Sequence, residues 1–425
     1  MNENDSEKLA GILSGLGYER ADSTESAEII ILNTCSIREN ADDKFFGHLG
    51  SIKPLKQQYP EKILAVCGCM MQQEQTVSII RQKYRYVDII FGTHNIHEFG
   101  SLLDRFLQTQ KQVCEIRDDS PIAENVPVKR EFRHKAFVSI MNGCNNYCTY
   151  CIVPYTRGRE KSREEEYILD EIAKLAEDGC REVMLLGQNV NSYGRTLNSP
   201  KTFAGLLLKT AQISGIERIR FMTSHPKDFS SDIIEAVKSN EKICSSVHLP
   251  LQSGSSRILR LMNRHYDKEK YLSIIDELYT EIPDIAVSTD IIVGFPGETD
   301  EDFEETIDAV KKVRFDSAFT FIYSPRSGTK AAGMQGTVPP EVIKERFERL
   351  IGIQHDITAQ KSQKYAGTVQ EVIVDGYSRT SEKLLSGRNK SNKLINFAGN
   401  AQIGDTVSVK ISQAMTFYLL GEMIQ

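Results

Sequence analysis

Three features are missing from this 425-residue chain, and each absence excludes a class of protein. No run approaches the roughly 18–20 apolar residues of a membrane-spanning helix, so we expect no membrane segment. Residues 1–7 include neither a basic head nor an apolar run, which argues against a secretory signal and predicts a cytoplasmic protein. Repeats and low-complexity tracts are absent as well. With 40% hydrophobic and 26% charged residues, the composition excludes a disordered, collagenous or coiled-coil chain.

An excess of positive charge is also lacking, because the net charge is −6 at pH 7. The charge is unevenly distributed, however. Residues 361–425 hold eight Lys and Arg against five Asp and Glu, a net charge of +3, which leaves −9 for the rest. A small basic tail on an acidic body is compatible with a nucleic-acid-contacting module.

Nine cysteines in a cytoplasmic chain are interpreted as ligands or free thiols before disulfides, because the compartment keeps thiols reduced. Their odd number and their crowding within residues 144–151 argue against a disulfide framework. They stand at positions 35, 67, 69, 114, 144, 148, 151, 180 and 244.

Hydrophobic patterning predicts an α/β protein of three domains, with boundaries at residues 1–120, 130–360 and 361–425. In the first domain, apolar runs at residues 28–32, 63–66 and 87–91 alternate with helices, as in a parallel sheet. A charged linker with two prolines follows at residues 110–134. The second domain has six strand-like runs, which predict an open, partial (βα)6 barrel. They are residues 136–141, 182–186, 218–222, 246–249, 286–293 and 317–323.

The helix after the first of these runs is expected to begin with a Ser162–Glu165 capping box. A long helix over residues 340–364 closes the second domain. From Gly367 the apolar period changes to two, at residues 368–374, 394–397, 406–411 and 417–420. Short strands separated by glycines predict a small antiparallel β-barrel.

The strongest chemical signal is a Cys-x3-Cys-x2-Cys segment formed by Cys144, Cys148 and Cys151, just after the first barrel strand. Loops at that end of such barrels build active sites. Three thiolates can hold one soft metal centre, and a 4Fe–4S cluster with three cysteines keeps one iron open to another ligand. A zinc site is the alternative, but it would need a fourth Cys or His nearby, and the next histidine is His225.

This cysteine spacing at the start of a partial barrel resembles the radical S-adenosylmethionine (SAM) enzymes. The resemblance implies that SAM chelates the open iron and that its reductive cleavage releases a 5′-deoxyadenosyl radical. Two further segments, residues 186–193 and 288–298, place glycines and polar groups at strand ends, where they are either ordinary turns or SAM contacts. The SAM contacts expected from this resemblance are Gly187, Gln188, Asn189, Gln252, Asp290 and Gly294.

The resemblance is narrower still over residues 142–163, 223–226, 248–255 and 319–325, which are similar to the MiaB branch of the methylthiotransferases. It covers essentially the whole chain, and the terminal barrel resembles the RNA-binding TRAM domain. It implies addition of a methylthio group to C2 of N6-isopentenyladenosine, beside the anticodon of tRNA. An electron donor such as flavodoxin or ferredoxin, a sulfur source and a monomeric enzyme are further expectations from this resemblance.

The same resemblance implies a second 4Fe–4S cluster in the first domain, held by three cysteines. Residues 33–40 and 66–70 match that domain and supply Cys35 and Cys69 as two of the ligands. The third belongs to a Gly-Cys-Gln-Met-Asn pattern whose methionine is Met1 here, so we expect that the natural start lies upstream. Cys67 is the nearest substitute, but it faces away from Cys69 in a strand and is more simply a buried thiol.

The resemblance implies a mechanism in which one SAM methylates sulfur carried at the N-terminal cluster and a second SAM supplies the radical. A radical is needed because adenine C2–H is neither acidic nor activated. Phosphate contacts are expected from Arg157 and Arg159, beside the cysteine loop, and from a basic stretch of the terminal barrel. A solvated charged surface is the alternative for both groups. The terminal residues are Arg379, Lys383, Arg388, Lys390 and Lys393.

Two other functions remain open on the sequence. A sister methylthiotransferase would act on threonylcarbamoyladenosine in tRNA or on a ribosomal protein. Only the amino-acid sequence around the cysteines disfavours this alternative. A non-catalytic RNA-binding metal protein is the alternative from another class. The complete cysteine triple argues against it, and the missing first cysteine is the one feature in its favour.

Overall fold

The computed structural model describes residues 1–36 and 41–424, apart from the side chains of residues 41 and 42. Residues 37–40, part of the predicted 33–40 motif, therefore lie outside the described residues. The strands in chain order are β1 (Ile29–Thr34), β2 (Ile63–Gly68), β3 (Ile89–Phe91), β4 (Val113–Glu115), β5 (Lys135–Ser139), β6 (Met141–Asn142), β7 (Lys161–Ser162), β8 (Glu182–Leu186), β9 (Arg218–Phe221), β10 (Ser246–His248), β11 (Ala286–Val293), β12 (Ser317–Ile322), β13 (Val369–Ser378), β14 (Ser381–Arg388), β15 (Leu394–Ala398), β16 (Thr406–Ala414) and β17 (Tyr418–Ile424). The helices are α1 (Asn2–Gly15), α2 (Ala41–Gln58), α3 (Glu74–Lys83), α4 (Phe99–Thr109), α5 (Val153–Thr156), α6 (Glu165–Glu177), α7 (Phe203–Ala211), α8 (Ser231–Ser239), α9 (Ser256–Leu261), α10 (Lys268–Glu281), α11 (Asp300–Val313) and α12 (Pro340–Gln363).

The chain forms two compact units, each described here by itself. The first comprises Met1–Glu131, Met141–Tyr147 and Cys151–Arg163, and the second comprises Phe132–Ile140, Cys148–Tyr150 and Glu164–Gln425. The cysteine-rich segment therefore contributes to both units. The three predicted domain boundaries stay predictions.

The first unit is built on a four-stranded parallel sheet in the order β1-β2-β3-β4. Its central strand β2 is fully buried, because alternate residues face two separate apolar clusters. Ala65 and Cys67 belong to one cluster, while Leu64 and Val66 belong to the other. The three predicted strands are confirmed. The linker prediction is wrong at its start, because residues 113–115 add β4 to the sheet edge.

The second unit contains six parallel strands in two sheets of three, β5-β8-β9 and β10-β11-β12. An isolated bridge connects Ile219 of β9 to Ile243, which lies just before β10, so the predicted partial barrel is confirmed. Burial alternates along β11 and β12, with the more accessible residues on one face. Register places Asp290 opposite Phe319 and Ser288 opposite both His248 and Ser317. Polar residues of neighbouring strands therefore come together on that face.

The capping box predicted at the start of the helix after the first barrel strand is wrong. Helix α6 begins at Glu165, its N-cap is Glu164 without a side-chain hydrogen bond, and Ser162 belongs to β7. Ser162 pairs with β6 as part of a strand and therefore does not cap the helix. A capping box does form at α11, where Thr299 and Asp302 bond reciprocally.

The terminal segment closes into a five-stranded barrel in the order β13-β14-β15-β17-β16, as the glycine-separated strands predicted. One pairing, between β15 and β17, is parallel rather than antiparallel. Strand β14 has little apolar alternation, and the sequence reading missed it. Two buried arginines of β9 bind this barrel: Arg218 donates to the carbonyls of Arg388 and Glu371, and Arg220 donates to that of Asn389.

Among the helices of residues 1–36 and 41–424, none combines the length and the apolar character that crossing a bilayer would need.

Candidate functional site

The cysteine loop begins in the first unit, where β6 and β7 pair antiparallel at its base. Gly143 has φ +75°, and a Cβ there would lie 2.1 Å from the carbonyl oxygen of Arg159, so only glycine fits. The amide of Cys144 donates to the carbonyl of Gly158 at 3.2 Å. The backbone of residues 143–144 is therefore held against residues 158–159 in a fixed turn.

In the second unit, Cys148 is 8% exposed and has a buried arginine beside its sulfur. Arg264 Nη1 donates to Cys148 Sγ at 3.3 Å, and its Nε donates to the Tyr266 hydroxyl at 3.1 Å. Burial opposes the charge of Arg264, but Tyr150, Tyr266 and Cys148 outweigh it, so its pKa is raised well above the ordinary value. A permanent positive charge therefore lies against this thiol.

A similar contact forms in the first unit at Cys69, which follows β2 and is 3% exposed. Arg157 Nε donates to Cys69 Sγ at 3.3 Å, and its Nη2 donates to Asp5 Oδ2 at 2.6 Å. Burial opposes the charge, and Asp5 and then Cys69 outweigh it, so the pKa of Arg157 is also raised. Gly68 has φ +98° and no room for a Cβ beside Thr34, which fixes the turn that presents Cys69.

Cys35 directly follows β1 and is half-buried. Thr34 is the register partner of Gly68, so Cys35 and Cys69 leave the carboxyl ends of paired parallel strands at the same level. Cys35 also lines a cavity of about 240 Å³ together with Lys44, His48 and Met70. The two expected ligands are thus brought to one edge of the sheet. Cys67 is fully buried, and burial raises its pKa well above the thiol value, which agrees with a core role.

Among residues 1–36 and 41–424, no three Cys, His, Asp or Glu side chains form an assembled metal cage. The donor set nevertheless fits iron–sulfur chemistry, because thiolates are its normal ligands and each site has a guanidinium that stabilises thiolate charge. A mononuclear zinc centre would need a fourth ligand, which the cysteine loop does not supply.

Unsatisfied polar groups line the carboxyl ends of β8 and β9, where a cofactor of a parallel barrel binds. Five residues that follow these strands carry buried side-chain atoms without a hydrogen-bond partner, namely Gln188, Asn189, Asn191, Ser224 and His225. Buried polar atoms are normally paired, so such a concentration indicates a polar ligand. Burial, and then Arg264, lower the pKa of His225 far below its usual value, which keeps the ring neutral. These groups fit a zwitterionic nucleoside such as SAM.

The remaining expected SAM contacts are placed unequally. Gln252 adopts φ +66° and exchanges backbone hydrogen bonds with β11, its amide donating to the carbonyl of Asp290 at 2.8 Å. The Asp290 carboxylate lies 3.4 Å from His248 Nε2. Gly187 is buried next to these unsatisfied groups, and the buried Asn189 is one of them. Gly294 differs, because a Cβ on it would lie 2.8 Å from Ile343 of α12, so helix packing explains this glycine without a cofactor.

Comparison with known proteins agrees with this geometry. Residues 138–310 match the Radical SAM superfamily, residues 1–92 match the Uncharacterized protein family UPF0004, and residues 363–424 match the TRAM domain. A protein of Acetivibrio thermocellus named tRNA-2-methylthio-N(6)-dimethylallyladenosine synthase is 51% identical over all of this chain and 89% of its own length. Proteins of the same name from Clostridium botulinum (strain Okra) and Clostridium perfringens (strain ATCC 13124) are 52% identical, over all of this chain and 95% and 96% of theirs. The chain belongs to this synthase family.

Solved structures show the same fold at low sequence identity. The radical SAM methyltransferase TsrM of Kitasatospora setae superposes with a TM-score of 0.55 and 13% identity, over 88% of this chain and 76% of its own. The cobalamin-dependent radical enzyme OxsB superposes with a TM-score of 0.54 and 11% identity, over 83% of this chain and 55% of its own. As a radical SAM protein, this member of the synthase family is expected to use a 4Fe–4S cluster and SAM.

The residues expected to bind RNA fall into two groups. Arg159, Arg379, Lys383 and Arg388 are exposed, as a phosphate contact requires. Arg157 and Lys393 are each only 8% exposed, Arg157 being paired with Asp5 and Lys393 Nζ lying 3.2 Å from Ser362 Oγ. Lys390 is half-buried, 3.9 Å from Glu371. Burial therefore removes Arg157 and Lys393 from direct phosphate contact in this synthase-family chain.

Several site residues were missed by the sequence reading. Arg264 and Asp5 carry no local motif, and their partners are 116 and 152 positions away in the chain. The same holds for Asp228, whose Oδ2 accepts from Asn189 Nδ2 at 2.7 Å. His225 and Ser224 lie in a segment that matched the family, yet no role could be assigned to them without their burial.

Proposed function

We propose that this chain adds a methylthio group to C2 of N6-isopentenyladenosine next to the anticodon of tRNA. The observation that carries the proposal is 51–52% identity, over the whole chain, to proteins named for that reaction. Replacement of C2–H by C2–SCH₃ requires sulfur, a methyl group and a way to activate an unreactive C–H bond. When bound to the reduced cluster, SAM supplies a 5′-deoxyadenosyl radical for that activation.

The chain's own residues divide the work between two cysteine sites. Cys144, Cys148 and Cys151 would hold the SAM-cleaving cluster, with Arg264 fixing the Cys148 sulfur. Gln188, Asn189, Asn191 and Ser224 have the unpaired polar atoms to orient bound SAM. Neutral His225 can accept or donate one hydrogen bond there without introducing charge. Gln252 and Asp290 are held side by side by a backbone hydrogen bond and complete this proposed binding surface.

Cys35 and Cys69 would hold a second 4Fe–4S cluster that carries the sulfur to be methylated. Their position at the ends of paired strands supports this role, as does the guanidinium of Arg157 on Cys69. A third protein ligand is not among the described cysteines of this sheet edge, since Cys67 is turned into the core.

The partners in this proposal are tRNA bearing N6-isopentenyladenosine, a sulfur source, and an electron donor such as flavodoxin or ferredoxin. A monomer working in the cytoplasm is part of the same proposal. Exposed Arg159, Arg379, Lys383 and Arg388 would bind RNA phosphates and position the substrate without reading its sequence.

The test is an anaerobic assay of the reconstituted chain with SAM, a reductant and isopentenyladenosine-containing tRNA. Nucleoside mass spectrometry should show the 2-methylthio product. A matched tRNA with unmodified adenosine at that position, and one with threonylcarbamoyladenosine, separate this function from the sister branch. Absence of product from protein that binds iron and cleaves SAM would contradict the proposal, and product only on threonylcarbamoyladenosine would assign the chain to the sister branch.

A further inference from the structure

One face of the β10-β11-β12 sheet, in the second unit, exposes two large aromatic side chains. Along β12 the residues that alternate to this face are Ser317, Phe319 and Phe321, and the two phenylalanines are 50% and 42% exposed. Because they lie two residues apart, they are separated by about 7 Å along the strand. Large aromatic side chains usually bury most of their surface, so this accessible aromatic pair indicates an apolar binding surface.

The aromatic pair lies beside the proposed SAM contacts. Phe319 is the register partner of Asp290, whose carbonyl accepts a hydrogen bond from the amide of Gln252 at 2.8 Å. Register partners of parallel strands project from the same face of the sheet, and neighbouring strands are about 4.8 Å apart. A group held against Phe319 is therefore adjacent to the proposed SAM site.

Apolar side chains continue from the aromatic pair toward the cysteine loop. Ile292 is the register partner of Phe321, and it packs together with Tyr150 and Tyr323 against a buried apolar cluster. Tyr150 belongs to the Cys-x3-Cys-x2-Cys segment. The apolar surface therefore extends from Phe319 along the strands to the loop that would hold the SAM-cleaving cluster.

The histidine beside Phe319 is already occupied by other side chains. His248 Nδ1 lies 3.0 Å from Ser288 Oγ, and its Nε2 lies 3.4 Å from the Asp290 carboxylate. Its ring meets that of Phe319 edge-on, with the centroids 5.9 Å apart. Because both ring nitrogens are engaged, His248 offers no free nitrogen to the polar edge of a base. The surface around Phe319 therefore suits an apolar group, which needs no hydrogen-bond partner.

Space for such a group is available at this face. Phe319, His248 and Ser288 line a cavity of about 230 Å³. A cavity of roughly 150 Å³ is sufficient for benzene, so a branched five-carbon substituent fits beside Phe319.

We propose that Phe319 and Phe321 bind the isopentenyl group on N6 of the reacting adenosine and so determine specificity for the modified base. The isopentenyl group and C2 belong to the same purine, so the surface that holds this group must adjoin the SAM site, as the aromatic pair does. Burial of five apolar carbons supplies affinity that unmodified adenosine lacks. The inference rests on the proposed function, which supplies the substrate.

The test compares two RNAs on the reconstituted full chain. Two anticodon stem-loops, identical except for N6-isopentenyladenosine or adenosine at the target position, are titrated by fluorescence anisotropy. We expect the unaltered chain to bind the isopentenyl RNA roughly tenfold more tightly. Phe319→Ala combined with Phe321→Ala should bring this affinity ratio close to one. A general loss of RNA binding does not change the ratio, because both RNAs are measured on the same protein.

Conservative variants separate apolar contact from stacking and guard against unfolding. Phe319→Leu and Phe321→Leu keep an apolar side chain and should retain most of the ratio. Tyr167→Ala, at a 47% exposed tyrosine of α6, is the matched control and should leave the ratio unchanged. Equal weakening of both RNAs in the Ala and Leu variants would mean that the rings stack on adenine itself, which would overturn the inference.

Two further outcomes would also overturn it, namely a ratio of one in the unaltered chain and a ratio that the Ala variants leave unchanged. Methylthio product formed in either case would leave the proposed function standing. A ratio that the Ala variants remove, without product from the unaltered chain, would support the isopentenyl site and count against the proposed function.

Discussion

At each of the two cysteine sites a buried arginine donates a hydrogen bond to a cysteine sulfur, but the charges around the two arginines differ. In the first unit, Arg157 contacts Cys69 and is neutralised by Asp5. In the second unit, Arg264 contacts Cys148 and is surrounded by tyrosine hydroxyls and the carbonyl of Pro250. Among the described residues, Arg264 forms no ion pair with a carboxylate. The Arg157 guanidinium thus belongs to a buried ion pair and also contacts sulfur. The Arg264 guanidinium instead adds a full positive charge to its site.

This difference matches what the two proposed clusters would do. A cluster that must accept an electron and bind anionic SAM carboxylate benefits from an uncompensated positive charge. A cluster that only carries sulfur needs a fixed geometry more than a shifted potential. The buried pair of Arg157 and Asp5 ties α1 to the loop after α5 and so holds Cys69 in place.

The largest expected effect separates the two sites by activity. Cys148→Ala should abolish SAM cleavage, measured as 5′-deoxyadenosine, and with it all methylthio product. Cys69→Ala should keep SAM cleavage and lose the product alone. About eight irons per chain should fall to about four when Cys144, Cys148 and Cys151 are all replaced by Ala. Loss of SAM cleavage in Cys69→Ala would contradict the division of labour, and Cys180→Ala, at a buried thiol outside both sites, is the control.

The second prediction concerns stability of the cluster-free chain. Arg157→Met leaves Asp5, only 4% exposed, without its partner, and should cost about 3–5 kcal/mol of unfolding free energy. Arg264→Met leaves only neutral groups behind and should cost about 1–3 kcal/mol. Urea unfolding measures both. Adding Asp5→Asn to Arg157→Met should recover much of the lost stability. Equal losses in Arg157→Met and Arg264→Met would show that the carboxylate partner of Arg157 does not distinguish the two arginines.

The sequence predicted the fold better than it predicted these contacts. Apolar runs located all six barrel strands and three of the four sheet strands, because burial on both sides leaves a local pattern. β14 lacks that pattern, and the Ser162 capping signature was overridden by strand pairing. The cysteine spacing predicts the cluster loop, and that assignment stays a prediction. Arg157 was expected at the surface because its neighbours are charged, and only the tertiary structure reveals that Asp5, 152 positions earlier, buries it.

A third prediction tests compensation at an ion pair that contains neither cysteine-bound arginine. Asp302 is 4% exposed and accepts from Arg257 Nε at 3.2 Å; burial alone would raise its pKa, but Arg257 and Ser255 lower it to about 2. Because the folded pKa is depressed, the stabilisation is present above the unfolded pKa of about 4 and is lost as pH falls through about 2. Asp302→Asn should therefore lower stability by about 2 kcal/mol at pH 7, with the difference shrinking below pH 4 in acid unfolding. A pH-independent difference would mean that lost packing or helix capping, rather than charge, explains the effect.

The smallest expected effect bears most directly on the comparison. Removing the uncompensated charge in Arg264→Gln should make reduction of the SAM-cleaving cluster harder, shifting its potential negative by tens of millivolts, on the order of 1 kcal/mol. Arg157→Gln, combined with Asp5→Asn to keep the net charge, should leave the potential of the second cluster nearly unchanged. Redox titration followed by electron paramagnetic resonance measures both clusters in one sample. A larger shift at the first unit than at the second would reverse the assignment of roles, because the compensated arginine would then be the one that controls electron entry.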